Sequence, residues 1–292
     1  MLRFRSGFFL VAPLLVLLVT VCVLPFLIAA YVSVTDLNLA LSGRSGAFVG
    51  MENYRQLLLD HELHRSLRTT FTFAFTSVIG ELVLGVLLGI YLYKKRTQQS
   101  MLIPLVALPL LLAPVVTGLI WRLLYQGEFG LVSYLLQLMG LFEEASITSN
   151  PSTALFAVVL VDVWQWTPFV ALMVFVQRTL LPKSPFEAAA LDGASPVVAV
   201  RTITIPLLVP LIAMLGLLRF IDAFREFDKV FVLTSGGPGS ATELISIYAW
   251  RIIFRNWDFG YGAALSVALY LVIFSLSWLV FRSRAWRQSE TK

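Results

Sequence analysis

The chain has 292 residues, of which 58% are hydrophobic and 13% charged, and its mean hydropathy is +0.84. A soluble domain is nearer half apolar and a quarter charged. The composition therefore excludes a disordered tail, a disulfide scaffold and an ordinary soluble enzyme. In so apolar a chain, a net charge of +5 orients a membrane protein and does not mark a nucleic-acid partner. The single cysteine, Cys22, lies in an apolar run, and no Cys or His spacing suits a metal.

A membrane span needs about 20 mostly apolar residues. Six stretches qualify: Phe8–Tyr31, Thr70–Tyr93, Met101–Leu124, Thr153–Val176, Ile205–Ile221 and Tyr261–Phe281. Arg3 and Arg5 precede the first as in a signal peptide, but it exceeds the roughly 7–15 apolar residues of a cleaved segment. Thr20 and Val21 before Cys22 also do not suit a lipoprotein site, so the segment is read as a retained span. Placing both termini inside puts twelve Lys and Arg on the inner pieces 1–7, 94–100, 177–205 and 282–292. Eight fall on the longer outer pieces 32–69, 125–152 and 222–260. The density of basic residues is then about threefold higher inside, as the positive-inside rule asks. The fold expected is all-α and polytopic, a single transmembrane domain over residues 1–292.

The outer loop after the first span, Phe48–Leu58, reads as a short amphipathic helix at the surface. Gly80, Gly85 and Gly89 in the second span suit close helix contact. Glu81 beside them is expected to be a helix-packing partner. Pro104, Pro109 and Pro114 are expected to kink the third span. Trp278 and Trp286 fit an interfacial belt. No G-x-x-x-x-G-K-[ST] motif is present, and Gly236-Gly237-Pro238-Gly239 lacks the lysine and reads as a turn. The chain is expected not to hydrolyse ATP and to hold no cofactor.

The inner loop between the fourth and fifth spans, about 179–206, carries the most information. Ser184, Pro185 and Glu187 have the spacing of a capping box. Ala188, Ala189 and Ala190 are strong helix formers, and Gly193 can take the left-handed conformation that ends a helix. Ser195 and Pro196 start a second helix. On local chemistry alone, a well-capped connector explains this hairpin as readily as a docking element does.

The segment Glu187-Ala188-Ala189-Ala190-Leu191-Asp192-Gly193-Ala194, followed by Ile203-Thr204-Ile205-Pro206, resembles the EAA loop of ABC importer permeases. Ile205 stands where leucine is usual and Val200 where an aromatic is common; both are apolar exchanges. Phe48-Val-Gly-Met-Glu-Asn-Tyr54, Trp164-Gln-Trp-Thr-Pro-Phe169 and Phe227-Asp-Lys-Val-Phe-Val-Leu-Thr-Ser-Gly-Gly-Pro238 resemble its carbohydrate branch, the maltose and glycerol-phosphate type. The resemblance implies a type I importer permease fold in a bacterial-type cytoplasmic (inner) membrane, with both termini cytoplasmic. It implies that Glu187, Ala188, Ala189, Asp192, Gly193 and Ala194 couple to a separate dimer of ATPase subunits, which hold ATP and Mg. The other partners implied are a sister permease of the same fold, a periplasmic or lipid-anchored solute-binding protein, and a carbohydrate or polyol substrate.

Two sets of polar residues sit at membrane depth, where they are costly. Asp162, Gln165, Trp166 and Phe169 share one helical face; Arg219, Asp222, Ala223 and Glu226 repeat the same offsets. The fifth span is accordingly expected to continue as a polar helix. Carboxylates accept hydroxyl hydrogen bonds, arginine donates and aromatic rings cover a sugar's apolar face, and the resemblance places substrate contacts on these faces. The alternative is internal pairing: Asp162 with Arg219 or a sister-subunit cation, Arg219 with Asp222, and Glu226 with Lys229. A stand-alone secondary transporter or channel would also explain spans and intramembrane charge. It calls for inverted repeats and broken helices, which the sequence does not display. A membrane enzyme would need a metal or nucleophile–base cluster, and the sequence offers none.

Overall fold

A computed structural model describes residues 3–43, 45–95, 99–140 and 146–282. Arg96, Arg284, Arg287, Lys292 and Trp286, which entered the orientation and interface arguments, lie outside them. The described residues form helices and no strand, with isolated bridges pairing Thr35 with Phe48 and Asn38 with Asp258. Contacts divide the chain into two compact units, Met1–His64 with Tyr248–Lys292, and Arg65–Ile247.

In the first unit, helices α1 (Arg3–Leu18) and α2 (Leu24–Val32) join through a π turn. Val11–Val32 is long and apolar enough to cross a membrane, and none of it is buried among the described residues. Its exposed valines and leucines suit lipid. Helix α3 (Glu52–Leu59) is the expected outer-loop helix, starting later than the sequence suggested. It is tied to the end of α2 by Asn53, whose amide donates to the carbonyls of Ser33 and Thr35, both at 2.8 Å. Asp60 follows as the cap of α4 (His61–Lys94), accepting from the N–H of Glu62 at 2.8 Å and Leu63 at 3.1 Å. Its other oxygen accepts from the hydroxyls of Tyr248 and Tyr261. Burial raises the Asp60 carboxyl, but these hydrogen bonds outweigh it and hold the group below the ordinary aspartate value. With both oxygens occupied, Asp60 is a joint and not a ligand site. Tyr248 lies in α13 (Ile245–Trp250) and Tyr261 in α14 (Phe259–Arg282).

The second unit is built on α4 and α8 (Pro151–Leu180). A Cβ at Gly85 would lie 2.5 Å from Val170 Cβ, and one at Gly89 would lie 2.6 Å from the Ala171 carbonyl oxygen. The glycines thus let α4 approach α8 at backbone distance, the close packing a span uses where lipid supplies no hydrophobic drive.

The third span breaks where the sequence suggested only a kink. Met101–Leu111 and Pro114–Leu124 meet at 94°. The first arm contains α5 (Gln99–Ala107) and a 3₁₀ turn, and the second is α6 (Pro114–Leu124). Leu112 and Ala113 between them are extended, with ψ of 131° and 144°. Pro114 disfavours the helical region for Ala113, so the backbone leaves the helix there. The expectation that no helix would be broken is thus corrected.

A short helix, α7 (Leu131–Leu138), follows. The hairpin after α8 consists of α9 (Ser184–Leu191) and α10 (Pro196–Ala199), the latter continuing through a π turn into α11 (Ile205–Phe224). Pro196–Phe224 is thus one span of 29 residues. It stops at Phe224, where the Arg225 N–H returns to the carbonyls of Asp222 and Ala223, and α12 (Asp228–Thr234) starts separately. The expected polar continuation of the fifth span runs only from Ile221 to Phe224 and does not reach Glu226. Among the described residues, four helices are long and apolar enough to cross a membrane, five if the bent pair counts as one, and α14 adds a shorter apolar stretch, Phe259–Ser275.

Candidate functional site

The polar residues singled out at membrane depth converge, but with two partners that change their meaning. Arg219, near the C-terminal end of α11, turns its guanidinium onto Glu81 of α4, with Nε 2.7 Å from Oε2 and Nη2 3.0 Å from Oε1. Nη2 also lies 3.5 Å from Asp162 Oδ2, and Nη1 donates to Asp222. The other Asp162 oxygen accepts from Lys229 Nζ, which also lies 3.0 Å from Glu226 Oε2. The Arg219 guanidinium rests 4.1 Å above the Trp166 ring. Glu81, Asp162, Arg219 and Lys229 are all essentially buried, whereas the Asp222 side chain is 60% exposed.

Four carboxylates thus surround two cations, joining α4, α8, α11 and α12. Each internal pair weighed from the sequence is formed: Asp162 with Arg219, Arg219 with Asp222, and Glu226 with Lys229. Glu81 is the helix-packing partner expected. Glu226 lies beyond the end of α11, not on the face of Arg219 and Asp222, and also accepts from the Lys229 backbone N–H at 3.1 Å. Ala223 is buried in the apolar core. Sequence reasoning gave Lys229 only as the partner of Glu226 three residues before it, a pairing expected at a solvated helix end, and nothing in that spacing signalled its burial.

Gln165 spans the break in the third span, its amide donating to the Leu112 carbonyl at 3.0 Å. Gln165 Oε1 and Trp166 Nε1 are buried and carry no hydrogen bond to the described residues. Phe169 packs edge-on against Trp166, with ring centroids 6.1 Å apart. The structure therefore brings Asp162, Gln165, Trp166 and Phe169 together on α8 and sets Arg219, which Asp222 pairs from its own helix, against Asp162 and Trp166.

A separate open groove of about 800 Å³ runs along α4 and α11, lined by Phe71, Phe75, Ile79, Leu82 and Phe220. Its hydroxyls, on Thr72 and Thr76, donate to carbonyls of their own helix. It offers a sugar little to hydrogen-bond.

The hairpin after α8 is exposed. Lys183, not Ser184, caps α9: the Lys183 carbonyl accepts from the N–H of Phe186 and Glu187, both at 3.0 Å, and no side chain caps the helix. The capping box is corrected accordingly. Pro185 has no N–H to lose in either of the first two helical positions, so it permits this earlier start. Glu187, Ala188, Asp192 and Gly193 are exposed, and Ala189 and Ala194 half-buried. Gly193 has φ +75°, and the Ala194 N–H returns to the Ala189 carbonyl at 2.9 Å, closing the helix as a left-handed glycine does. Ser195 caps the next helix by accepting from the Val198 N–H.

Comparison with known proteins decides the family. No family model matches the chain. The trehalose/maltose transport system permease protein MalF of Thermococcus litoralis is 32% identical over 277 residues, covering 94% of this chain and 91% of that protein. The sulfoquinovosyl glycerol transport system permease protein SmoG of Agrobacterium fabrum is 34% identical over 276 residues, covering 93% and 86%. The chain belongs to the permease subunits of sugar ABC transporters. A chain of the crystal structure of a bacterial alginate ABC transporter, in complex with its alginate pentasaccharide-bound periplasmic protein, shares the fold. Its TM-score is 0.78 at 17% identity, covering 93% of this chain and 92% of that one. As a sugar ABC permease the chain is an integral membrane protein, and permease subunits of this kind are not themselves enzymes.

Proposed function

We propose that the chain is the pore subunit of an ATP-driven, binding-protein-dependent importer of a carbohydrate or polyol. It has six spans, counting α14 as the last, and both termini are cytoplasmic. Its partners are a sister permease of the same fold, an ATPase dimer carrying ATP and Mg, and a solute-binding protein on the outer side. The observation that carries this reading is the exposed α9 hairpin, which leads without interruption into the 29-residue span ending beside the ion cluster. Movement imposed on Glu187, Ala188, Ala189, Asp192, Gly193 and Ala194 is then delivered along α11 to Arg219. The broken third span is a feature of secondary transporters too, but that reading leaves the exposed hairpin without a purpose. The test is reconstitution. Sugars and polyols are screened against the binding protein by calorimetry, and the ligand found serves as the uptake probe. Liposomes containing this chain alone are expected to show neither uptake nor ATP hydrolysis, while the complete complex shows ATP-dependent uptake. Uptake by the single chain would favour the stand-alone reading.

The substrate path in this reading passes the Trp166 face of α8 and the exposed Asp222. Two features support it: polar atoms on Gln165 and Trp166 without a hydrogen-bond partner among the described residues, which native structures rarely leave unexplained, and a carboxylate open to hydroxyl donors. Asp222→Ala is expected to weaken transport affinity about tenfold, the worth of one hydrogen bond to a charged group, while the complex still assembles. Trp166→Phe keeps a ring beneath Arg219 and is expected to be milder than Trp166→Ala. Uptake measured against assembly decides it: wild-type transport by both Asp222→Ala and Trp166→Ala would remove the substrate from this face.

A further inference from the structure

The cytoplasmic ends of two spans meet the hairpin at a single arginine. Arg178 lies in the last turn of α8. Its guanidinium carbon sits 3.9 Å above the ring of Phe186, in α9, and 4.3 Å above the ring of Tyr93, in the last turn of α4. A planar guanidinium can hold an aromatic ring against each face. One side chain therefore joins α9, α8 and α4, although 85 residues separate Tyr93 from Arg178 in the sequence.

The placement matters because α9 is only partly covered by the described residues. None of its residues is fully buried, and Leu181, which opens the short connector from α8, is extended with ψ of 142°. An extended linker of this kind does not by itself pass on a push. Phe186 is next to Glu187, so the brace is attached at the start of the segment proposed to meet the ATPase. Arg178 also suits the carboxyl end of α8 by charge. A lysine would serve that purpose equally, with no need of two rings, and so the double stacking calls for a further account.

We propose that Arg178 is a positioning residue that carries movement of α9 into the cytoplasmic ends of α4 and α8, as a second output beside the direct one through α11. This inference rests on the coupling role proposed above for the hairpin. Phe186 is the driver, Arg178 the link and Tyr93 the receiver. The link is non-covalent and charge-dependent, and it depends on aromatic faces more than on side-chain volume.

The experiment uses the complete complex with Cys22 replaced by serine and an environment-sensitive fluorophore on Tyr91→Cys, an exposed position on α4. Mg-ATP is the only probe added, and the fluorescence change is read per ATP hydrolysed. Arg178→Gln and Phe186→Leu are expected to reduce that change about tenfold, the loss that follows from removing a two-sided cation–π contact. Phe186→Tyr, which keeps the ring, is expected to restore it, as a merely volume-filling role would not require. A wild-type response from both Phe186→Leu and Phe186→Tyr overturns the proposal. If Arg178→Gln fails to assemble, the comparison of Phe186→Leu with Phe186→Tyr decides the matter. Gly193→Pro separates the hairpin's role from that of Arg178. If it leaves the response intact, the hairpin's coupling role fails and this one with it; if it abolishes the response while Phe186→Leu does not, only the Arg178 link fails.

Discussion

Arg219→Met is expected to destabilise the folded chain by about 3–5 kcal/mol, the cost of stripping one partner from a buried ion pair. The reason is the charge left behind. Glu81 is fully buried and accepts from Arg219 at 2.7 and 3.0 Å. Asp162 keeps Lys229 and suffers less. A carboxylate stranded in a span has no water to turn to, which makes the loss larger than for a surface pair, where about 0–1 kcal/mol is typical. Arg219→Lys should rescue only in part, since an ammonium cannot reproduce the two-pronged contact with Glu81. The double variant Arg219→Met with Glu81→Met should regain most of the loss, because replacing both charges by apolar groups of similar size removes the desolvation problem along with the pair. Thermal unfolding in detergent of the four proteins in this cycle measures the coupling. If Arg219→Met alone unfolds within about 0.5 kcal/mol of the parent, the scale of an ordinary surface substitution, Arg219 is not what holds Glu81 in the span.

That cluster marks the boundary between what the sequence could tell and what it could not. Spacing along a helix is visible in one dimension, so Asp162 and Gln165 were recognisable as one face. The partner of Arg219 is Glu81, 138 positions away, and nothing in local spacing connects them. Lys229 was likewise one charge in a polar run until the separate start of α12 turned it inward. The hairpin was the most legible part because its determinants are local: Gly193 for the turn, Ser195 and Pro196 for the second start. Its one misreading, Ser184 as cap, concerned a choice between adjacent residues that Pro185 leaves open. Pro114 announced a disturbance in the third span, but not its 94° size, since Gln165 holds the freed Leu112 carbonyl from another helix. The brace of Tyr93, Arg178 and Phe186 had no sequence signal, since aromatic residues near span ends are common for interfacial reasons.

Gly193→Pro is expected to reduce ATP-driven uptake to background while leaving the spans inserted. A Cβ at Gly193 would meet nothing within 4 Å, so space does not require glycine there. The backbone does: φ is +75°, and proline fixes φ near −65°. Proline would also remove the Gly193 N–H, which donates to the Ala190 carbonyl at 3.2 Å. The turn cannot keep its shape, and α9 would point away from the line that leads into α10 and α11. Gly193→Ala provides a graded comparison. It keeps the N–H and incurs only the left-handed penalty of about 1–2 kcal/mol, so uptake should fall without vanishing. Glu187→Arg tests the same element by charge rather than shape. Glu187 is exposed on α9 and its reversal disturbs no interior contact, so a lost response would lie at the ATPase contact and not in the fold. Uptake by the reconstituted complex, read beside cysteine accessibility at the span ends, separates the outcomes. Wild-type uptake by Gly193→Pro would mean that the hairpin is a connector, and the drive would have to enter the permease elsewhere.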